Sequence, residues 1–488
     1  MGNFLEAPYL LEAVVVVLGL ALLMLEAFLP KADKRLVAYI ALFGLAGVLV
    51  ASFNMKAPEN LEHSFWSFYA TDNLAFFYKN IAVLATMLVI VMAIEYTPVL
   101  EKYVSQGSKQ GGLGEFFCLP VFVCAGLMWM ASAKEFITIF VSLETVTISF
   151  YVLVAYMRRN VGSLEAGVKY LILGALSTGF FVYGVTWVFG LTGETHLEKI
   201  GIALQGLEGS DSAVLFAFTL ILVGLGFKVA AVPFHVWVPD VYQGAPTPVT
   251  AFLSVGSKAA GFIVATRILQ PFLEMERLHS SFTTILVIVT GATILFGNFA
   301  AIPQTNFKRL LAYSSISHAG FLLLALTCTP DQFQLTPGQV VAFYLATYLL
   351  MTMLCFLVLT IVRRSTESDE IAAFSGLHRR SPFLAFALLI GVISLAGVPL
   401  TAGFLGKFFV FTLAIDSGRW ILLAFAVVGA ASGFYYYLKV ARAMYWEEPT
   451  ELAAIEISPL ARLALLLLII ATIVFGVYPA PILGLLTN

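Results

Sequence analysis

Five ionisable side chains stand inside long apolar runs of this 488-residue chain: Glu144, Lys169, Lys228, Lys258 and Lys407. An isolated charge in hydrocarbon is costly, so such residues usually pair with one another or touch water. Burial favours the neutral form of either group, whereas pairing favours the charged forms. A glutamate and a lysine whose separation changes can therefore switch the lysine between holding and releasing a proton. A static ion pair that fixes helix packing is the alternative.

Lys228 lies in the most informative stretch, GLGFKVAAVPFHVWVPDVYQGAPTPVTAFLSVGSK, which runs from residue 224 to residue 258. About fifteen mostly apolar residues precede the lysine. Pro233 has no N–H, so the helix must bend or break there. A broken helix with an ionisable side chain at membrane depth indicates an ion-binding site in transporter-like folds. A lysine that snorkels from a helix end is the alternative. His235 falls in the break, either as a bridge to the inner surface or as a cap.

Two further helices carry polar side chains at helical spacing. One stripe comprises Thr247, Thr250, Ser254 and Lys258, and it predicts a hydrated path or hydrogen bonds between helices. In LLAYSSISHAGFLLL, two serines and His318 share a face. A histidine can pass protons near neutral pH, but it can equally be a hydrogen-bonded packing residue. Lys169 stands one to two turns inside its helix, and Lys407 follows a second break near Pro399.

The composition indicates the environment in which these side chains must be positioned. Hydrophobic residues make up 60% of the chain and charged residues only 11%, which predicts an all-α polytopic membrane protein in a lipid bilayer. The net charge of −2 gives no indication of nucleic-acid binding. The four cysteines fit no metal or iron–sulfur motif, and no phosphate-binding glycine loop is present. We therefore expect no cofactor and no metal in this chain.

Apolar runs of about 20 residues predict roughly fourteen transmembrane helices. Their ranges are 9–29, 36–53, 73–94, 115–131, 135–157, 163–191, 213–232, 247–269, 282–302, 309–328, 337–362, 382–415, 419–445 and 459–485. The seventh and twelfth are broken, and each carries a lysine near its break. Breaks five spans apart predict two five-helix repeats, the second inverted in the membrane. The expected division is a three-helix segment (1–112), the first repeat (113–270), the inverted repeat (271–446) and a last helix (447–488).

The basic residues predict the orientation of the chain, because inner loops are enriched in lysine and arginine. If both termini lie outside, few basic residues fall in the outer loops: Lys56, Lys134, Lys199, Arg277 and Arg419. The inner loops then hold many more: Lys31, Lys34, Arg35, Lys102, Lys109, Arg158, Arg159, Lys308, Arg309, Arg363, Arg364, Arg379, Arg380 and Arg462. We expect both termini on the outer, periplasmic side of a bacterial inner membrane.

The stretch 224–258 and the segment NFKRLLAYSSISHAGF resemble the antiporter-like membrane subunits of respiratory complex I and the related multisubunit cation/proton antiporters. The segment PDVYQGAP and the length are most similar to the subunit N family of bacterial proton-translocating NADH:quinone oxidoreductases. The resemblance covers nearly the whole chain. It implies fourteen helices with two inverted repeats, and it matches the family's relay positions to Glu144, Lys169, Lys228, Lys258 and Lys407.

The resemblance also implies a function. Redox chemistry on flavin, iron–sulfur clusters and quinone would occur in other subunits, and this chain would move protons through its glutamate and lysines. The implied partners are the neighbouring antiporter-like subunit M and the small subunits K and J. The alternative is a subunit of a multisubunit sodium/proton antiporter. A structural scaffold without transport and a quinone-binding role are two further alternatives.

Overall fold

A computed structural model describes residues 9–28, 33–55, 65–104, 112–207, 209–449 and 453–487. These residues are helical apart from loops and three isolated backbone bridges. The α-helices are α1 Leu10–Phe28, α2 Arg35–Asn54, α3 Asn73–Val104, α4 Leu113–Ser132, α5 Phe136–Val154, α6 Val161–Thr192, α7 Leu197–Gly206, α8 Asp211–Val229, α9 Val238–Gly244, α10 Thr247–Phe252, α11 Lys258–Leu273, α12 His279–Ala301, α13 Phe307–Leu326, α14 Pro337–Thr366, α15 Leu377–Arg380, α16 Pro382–Ala396, α17 Ala402–Asp416, α18 Trp420–Trp446, α19 Pro459–Val477 and α20 Ala480–Thr487.

Within the described residues, thirteen helical segments are long and apolar enough to cross a membrane. The pair α16 and α17 forms one more span, which is interrupted between Ala396 and Ala402. The predicted all-α polytopic fold with about fourteen spans is therefore confirmed. Large apolar side chains are exposed along α1, α6, α18 and α19, as lipid-facing helices require, whereas α13 and α14 are almost wholly buried.

Ion pairs between loops show how the spans alternate. The helix bundle has two ends: end A, at which α1 begins, and end B on the opposite side. At end B, Lys102 Nζ lies 2.6 Å from Glu367 Oε2, which joins the end of α3 to the end of α14. At end A, Arg277 Nε lies 2.9 Å from Asp211 Oδ1. Loops that the sequence assigns to the same side of the membrane are therefore in contact at the same end of the helix bundle.

Three of the basic residues used for orientation lie outside the described residues: Lys31, Lys56 and Lys109.

The helices from α4 to α18 pack in two similar sets. In the first set α4 packs on α5 and on α11, and α6 packs on α8; in the second α12 packs on α13 and on α18, and α14 packs on both α16 and α17. The first half of each broken span, α8 or α16, is followed by a residue in the left-handed backbone region: Ala230 with φ 68° and Gly397 with φ 90°. Glycine adopts that region readily, but alanine does so only under strain. This arrangement agrees with the two five-helix repeats expected from the breaks.

The structure differs from the predicted boundaries in four places. The helix α3 continues to Val104, beyond the predicted end at residue 94. Glu95, the residue at which the apolar run stopped, forms an ion pair, with 2.5 Å between its Oε2 and Arg364 Nη1. The loop after α6 contains the additional helix α7. The last span ends at Val477, before Pro479, and α20 follows it. Finally, the span from Thr247 to Leu273 contains a π turn, Leu253–Ser257, which apolar-run counting cannot detect.

Gly297 sets the distance between α12 and α13, and its replacement provides a test of this packing. A Cβ atom at Gly297 would lie 2.5 Å from the backbone nitrogen of Ser317, so the helices would have to separate. We expect Gly297→Ala to destabilise the assembled protein by about 1–3 kcal/mol, as overpacking does. The control is Gly179→Ala, because nothing lies within 4 Å of that position. Thermal unfolding in detergent measures both variants, and equal melting temperatures would contradict the packing described.

Candidate functional site

Lys228 lies in the last turn of α8, directly before the break, and is buried. Its Nζ donates a hydrogen bond of 2.8 Å to Thr147 Oγ1 on α5. Glu144, one turn earlier on α5, accepts a hydrogen bond of 2.9 Å from Thr178 Oγ1 on α6. No Glu144 oxygen lies within the 4.0 Å of Lys228 Nζ that an ion pair requires. The direct pairing of Glu144 with a lysine that the sequence suggested is therefore absent here, and two threonines stand at the junction instead.

A small cavity lies beside this junction. It has a volume of about 10 Å³, which is the space that the centre of one water molecule occupies. Its lining includes Thr147, Thr178, Ser177 and Lys228. One water molecule there could contact both hydroxyl groups that bond to Glu144 and to Lys228.

The break after α8 is held by polar contacts of its backbone. Trp237 Nε1 donates to the carbonyl of Phe227 at 3.0 Å, and the N–H of Val232 donates to Thr293 Oγ1 at 2.9 Å. His235 packs on the ring of Phe296, with 4.4 Å between ring centroids. Its Nδ1 is buried and has no hydrogen-bond partner among the described residues. His235 therefore faces α12.

Lys169 occupies a polar cavity of about 400 Å³ at end B. Its Nζ lies 2.7 Å from Glu165 and 2.9 Å from Asp240, and Arg309 contacts the second oxygen of Asp240 at 2.9 Å. Asp240 stands on the short helix α9, outside the spans. Partial burial raises its pKa, but the hydrogen bonds from Lys169 and Arg309 outweigh this effect, so the pKa lies below its usual range. Asp240 is thus a stable anion at the mouth of the cavity.

Lys258 follows the π turn immediately and is buried. Its Nζ donates to both the carbonyl oxygen and the hydroxyl of Ser315 on α13. The same hydroxyl lies 3.3 Å from Tyr242 OH on α9. Tyr348 on α14 covers the other side, with its ring centroid 5.6 Å from Lys258 Nζ. π turns are frequent at functional sites, and this one directs the lysine towards α13.

The polar stripe predicted on this span is buried, but its members have different partners. Thr250 donates to the carbonyl of Tyr242 at 3.0 Å, which is a packing bond between segments. Ser254 bonds to Tyr348 OH at 2.8 Å. Thr247 Oγ1 is buried without a partner among the described residues. Thr250 therefore makes a hydrogen bond between helical segments, which was one of the two alternatives, whereas Ser254 and Lys258 both contact Tyr348.

His318 is enclosed by tyrosines. Its Nδ1 lies 2.7 Å from Tyr344 OH, and its Nε2 lies 3.2 Å from Tyr437 OH. Tyr437 OH also bonds to Ser314 Oγ. The ring of Tyr348 stacks obliquely on the imidazole at 5.0 Å, so this one ring touches both Lys258 and His318. Ser314 and His318 do share a face, as predicted, while Ser315 turns towards Lys258.

Lys407 lies in α17 and reaches back across the break. Its Nζ donates to the carbonyls of Leu395 and Ala396, at 2.9 and 2.8 Å, in the last turn of α16. Those carbonyls have no helical partner, and the ammonium also complements the negative end of the helix dipole. Lys407 is therefore a buried lysine whose side chain also caps a half-helix.

The tyrosines are the residues that sequence reasoning missed. Tyr344 and Tyr348 are four residues apart on α14, so they share a face, and this helix has no buried charge to draw attention to it. The signal was available in AFYLATYLL, where two hydroxyl-bearing rings recur at helical spacing. Together with Tyr242 and Tyr437 they connect the neighbourhoods of Lys258 and His318.

Comparison with known proteins places the chain in a family. The profile of the family described as NADH:quinone oxidoreductase/Mrp antiporter, TM matches residues 133–432, more than half of the chain. NADH-quinone oxidoreductase subunit N of Heliobacterium modesticaldum is 40% identical over 476 residues, which cover 96% of both chains. The protein of the same name from Moorella thermoacetica is 39% identical over 473 residues, covering 96% of this chain and 95% of that one.

Solved structures agree with this placement. A chain of respiratory complex I from Thermus thermophilus with bound aureothin is 32% identical, has a TM-score of 0.79, and covers 97% of this chain and 98% of that one. A chain of the Mrp complex from Dietzia sp. has a TM-score of 0.84 at 22% identity, a likeness of fold alone, over 99% and 96% of the two chains. The chain therefore belongs to the antiporter-like membrane subunits of respiratory complex I, in the subunit N family of the NADH:quinone oxidoreductases.

Proposed function

We propose that this protein is a proton-translocating subunit of an NADH:quinone oxidoreductase. The observation that carries the proposal is the presence of three buried lysines, Lys228, Lys258 and Lys407, each bonded only to neutral oxygen atoms in the described structure. A lysine without a counter-ion at membrane depth is poised to lose its proton, because burial disfavours its charged form. Proton transfer is thus the chemistry that these sites favour.

Glu144 acts as the switch for Lys228 in this proposal. Thr147, Thr178 and the small cavity between them separate the two charges. An approach of α5 and α8 would bring the carboxylate to the ammonium and stabilise the protonated lysine, whereas separation would release the proton. Redox chemistry in other subunits would drive this movement.

The lateral route continues through Lys258 to His318. Ser315 and Tyr242 offer hydroxyl groups beside Lys258, and Tyr348 lies between the lysine and the imidazole. His318 passes the proton on towards Lys407 through the tyrosines that bond to both of its ring nitrogens. Lys407 is the far station of the route.

The polar cavity around Lys169 and Asp240 is the water-filled entrance at end B. End B carries most of the basic loop residues, so we place it on the inner side of a bacterial membrane and both termini on the outer side. His235, which is buried in the break behind α9, is a secondary candidate for proton transfer near this entrance.

The assembly follows from the same proposal. The chain works as a non-redox subunit of the translocase, and flavin, iron–sulfur clusters and quinone are bound by other subunits. The neighbours that we expect are the antiporter-like subunit M and the small subunits K and J. The residue ranges 1–112, 113–270, 271–446 and 447–488 divide the chain into its three-helix segment, two inverted repeats and last helix.

A sodium/proton antiporter subunit is the second candidate, because the Mrp complex shares the fold. The 40% identity to a protein called subunit N favours the first candidate. The two differ in their dependence on sodium ions and in the presence of an NADH-oxidising arm.

Lys258→Met in the assembled complex tests the proposal. We expect NADH-driven proton uptake by reconstituted vesicles to fall by about 10²-fold, the lower end of what a positioned proton-transfer group contributes. The matched control is Lys439→Met, since Lys439 is half-buried and its hydrogen bond within the described part of the chain goes to the carbonyl of Gln304, at 2.9 Å. Normal proton uptake by Lys258→Met would contradict the relay, and a requirement for sodium ions in the wild type would favour the antiporter.

A further inference from the structure

A buried ionic cluster lies outside the two five-helix sets, between α1 and α3. Lys79 Nζ is 3.0 Å from Glu12 Oε1, and the two side chains are only 1% and 0% exposed. Tyr69 OH accepts a hydrogen bond of 2.7 Å from Lys79 Nζ and donates one of 2.5 Å to Glu12 Oε1. The three groups therefore form a closed triangle within hydrogen-bond distance, shielded from solvent and from lipid.

Glu12 Oε2 is the unusual atom of this cluster. It is buried and has no hydrogen-bond partner among the described residues. A buried ion pair is stable only if further hydrogen bonds satisfy the remaining lone pairs, so a purely structural pair is expected to satisfy both oxygens. Lys79 is also held against two aromatic rings, those of Tyr69 at 4.7 Å and Phe76 at 4.9 Å. The lysine of the pair thus contacts a carboxylate oxygen, a hydroxyl group and two aromatic rings, whereas one oxygen of Glu12 has no partner among the described residues.

We propose that Glu12, Lys79 and Tyr69 form an additional proton-holding site, separate from the row of lysines. A proton leaves an N–H bond of Lys79 for the Tyr69 oxygen while the Tyr69 O–H proton passes to Glu12, so Lys79 and Glu12 both become neutral. The reverse transfer restores the ion pair. A proton that arrives from outside binds to the free oxygen of Glu12 and gives the cluster one positive charge.

The surroundings of the cluster connect it to end A. Asp72 precedes Lys79 by two helical turns, a rise of about 10 Å, and its side chain is 46% exposed. Arg267 Nη2 contacts Asp72 Oδ1 at 3.0 Å and the carbonyl of Ala131 at 3.1 Å. The hydroxyl of Ser132, next in the chain, is buried without a partner among the described residues. Polar groups thus lie between the cluster and the exposed side chain of Asp72 at end A.

Arg267 also links these polar groups at end A to the relay. It lies on α11, whose first residue is Lys258. A shift of α11 as a whole moves Lys258 and also changes the contact between Arg267 and Asp72. The cluster is therefore placed to exchange protons with the end A side when α11 moves. This inference rests on the proposed function, because it assumes that the chain translocates protons.

The double variant Glu12→Gln with Lys79→Met tests the site in the assembled complex. It removes both charges together, so it avoids the large cost of one unpaired buried charge. We expect the NADH-driven proton uptake of reconstituted vesicles to fall by about tenfold or more, while NADH:ferricyanide activity, which reports assembly, stays normal. The matched control is Glu26→Gln with Lys34→Met, which removes the other ion pair of α1, 2.6 Å long and at end B.

Tyr69→Phe provides a second measurement that does not depend on the double variant's folding. It keeps the ring and the ion pair but removes the hydroxyl. A proton-holding site therefore predicts slower proton uptake, whereas a purely structural ion pair predicts normal proton uptake. Normal uptake in both variants, with Lys258→Met defective, would overturn this site and leave the relay intact. Normal uptake in Lys258→Met would instead overturn the proposed function itself. An infrared carboxyl band that appears during turnover and is absent from Glu12→Gln would support the site directly.

Discussion

Replacing Lys228 with methionine is expected to reduce NADH-driven proton uptake by about 10²-fold, the lower end of the contribution of a proton-transfer group, and to reduce NADH:quinone turnover with it. Methionine has a similar length, so packing around the break is preserved. The partner that it leaves, Thr147, already donates to the carbonyl of Leu143 at 2.6 Å and remains hydrogen-bonded. The thermal stability of the complex should therefore change little, and the loss should lie in transport alone.

Lys228→Arg separates the two roles of this side chain. Arginine keeps the positive charge but cannot release a proton at physiological pH. We expect it to be as defective as Lys228→Met if the proton itself passes through this position. Full proton uptake with arginine would show that only a fixed charge is needed, and Lys439→Met serves again as the control for loss of a membrane lysine.

Lys407→Met is expected to lose proton uptake and stability together, which distinguishes it from Lys228→Met. The ammonium of Lys407 satisfies two carbonyls at the end of α16, and both would be left buried without a donor. An unsatisfied buried polar group costs about 1–3 kcal/mol. We therefore expect a lower melting temperature for the detergent-solubilised complex in addition to the transport defect.

Lys407→Gln separates the loss of proton uptake from the loss of stability. A glutamine amide can still donate to a carbonyl, so the melting temperature should recover much of the difference. It cannot take up a proton, so proton uptake should stay low. Recovery of transport with glutamine would mean that Lys407 is needed only as a helix cap, and an unchanged melting temperature in Lys407→Met would mean that the cap is not needed.

Much of the fold could be predicted because hydrophobic thickness and proline chemistry act locally. Apolar runs located the spans, and Pro233 and Pro399 located the two breaks to within a few residues. What escaped prediction depends on partners far along the chain. Glu95 ended a predicted span only because its partner Arg364, which lies 269 residues later, was unknown. The helix α7 was missed because its ten residues are too few to register as an apolar run of about 20 residues.

The site was predictable in its residue types but not in its contacts. Intramembrane charges are rare enough to be recognised one by one, which singled out Glu144 and the lysines. Which atoms they touch depends on the rotation of each helix about its axis, and no spacing rule gives that angle. Thr178 rather than a lysine therefore bonds to Glu144. Glu12 and Lys79 were overlooked because each stands near the start of its helix, where a charge usually reaches solvent.

The π turn at Leu253–Ser257 has a consequence for how the relay can operate. A π turn holds one residue more than an α turn, and this surplus can pass along a helix by exchanging hydrogen bonds one at a time. Each residue that it passes turns by about 100° around the axis, while both ends of the helix stay in place. Lys258 is the first residue beyond the turn, so the direction in which its side chain points changes when the turn moves past it. The bond to Ser315 can thus be made and broken without any change in the distance between α11 and α13.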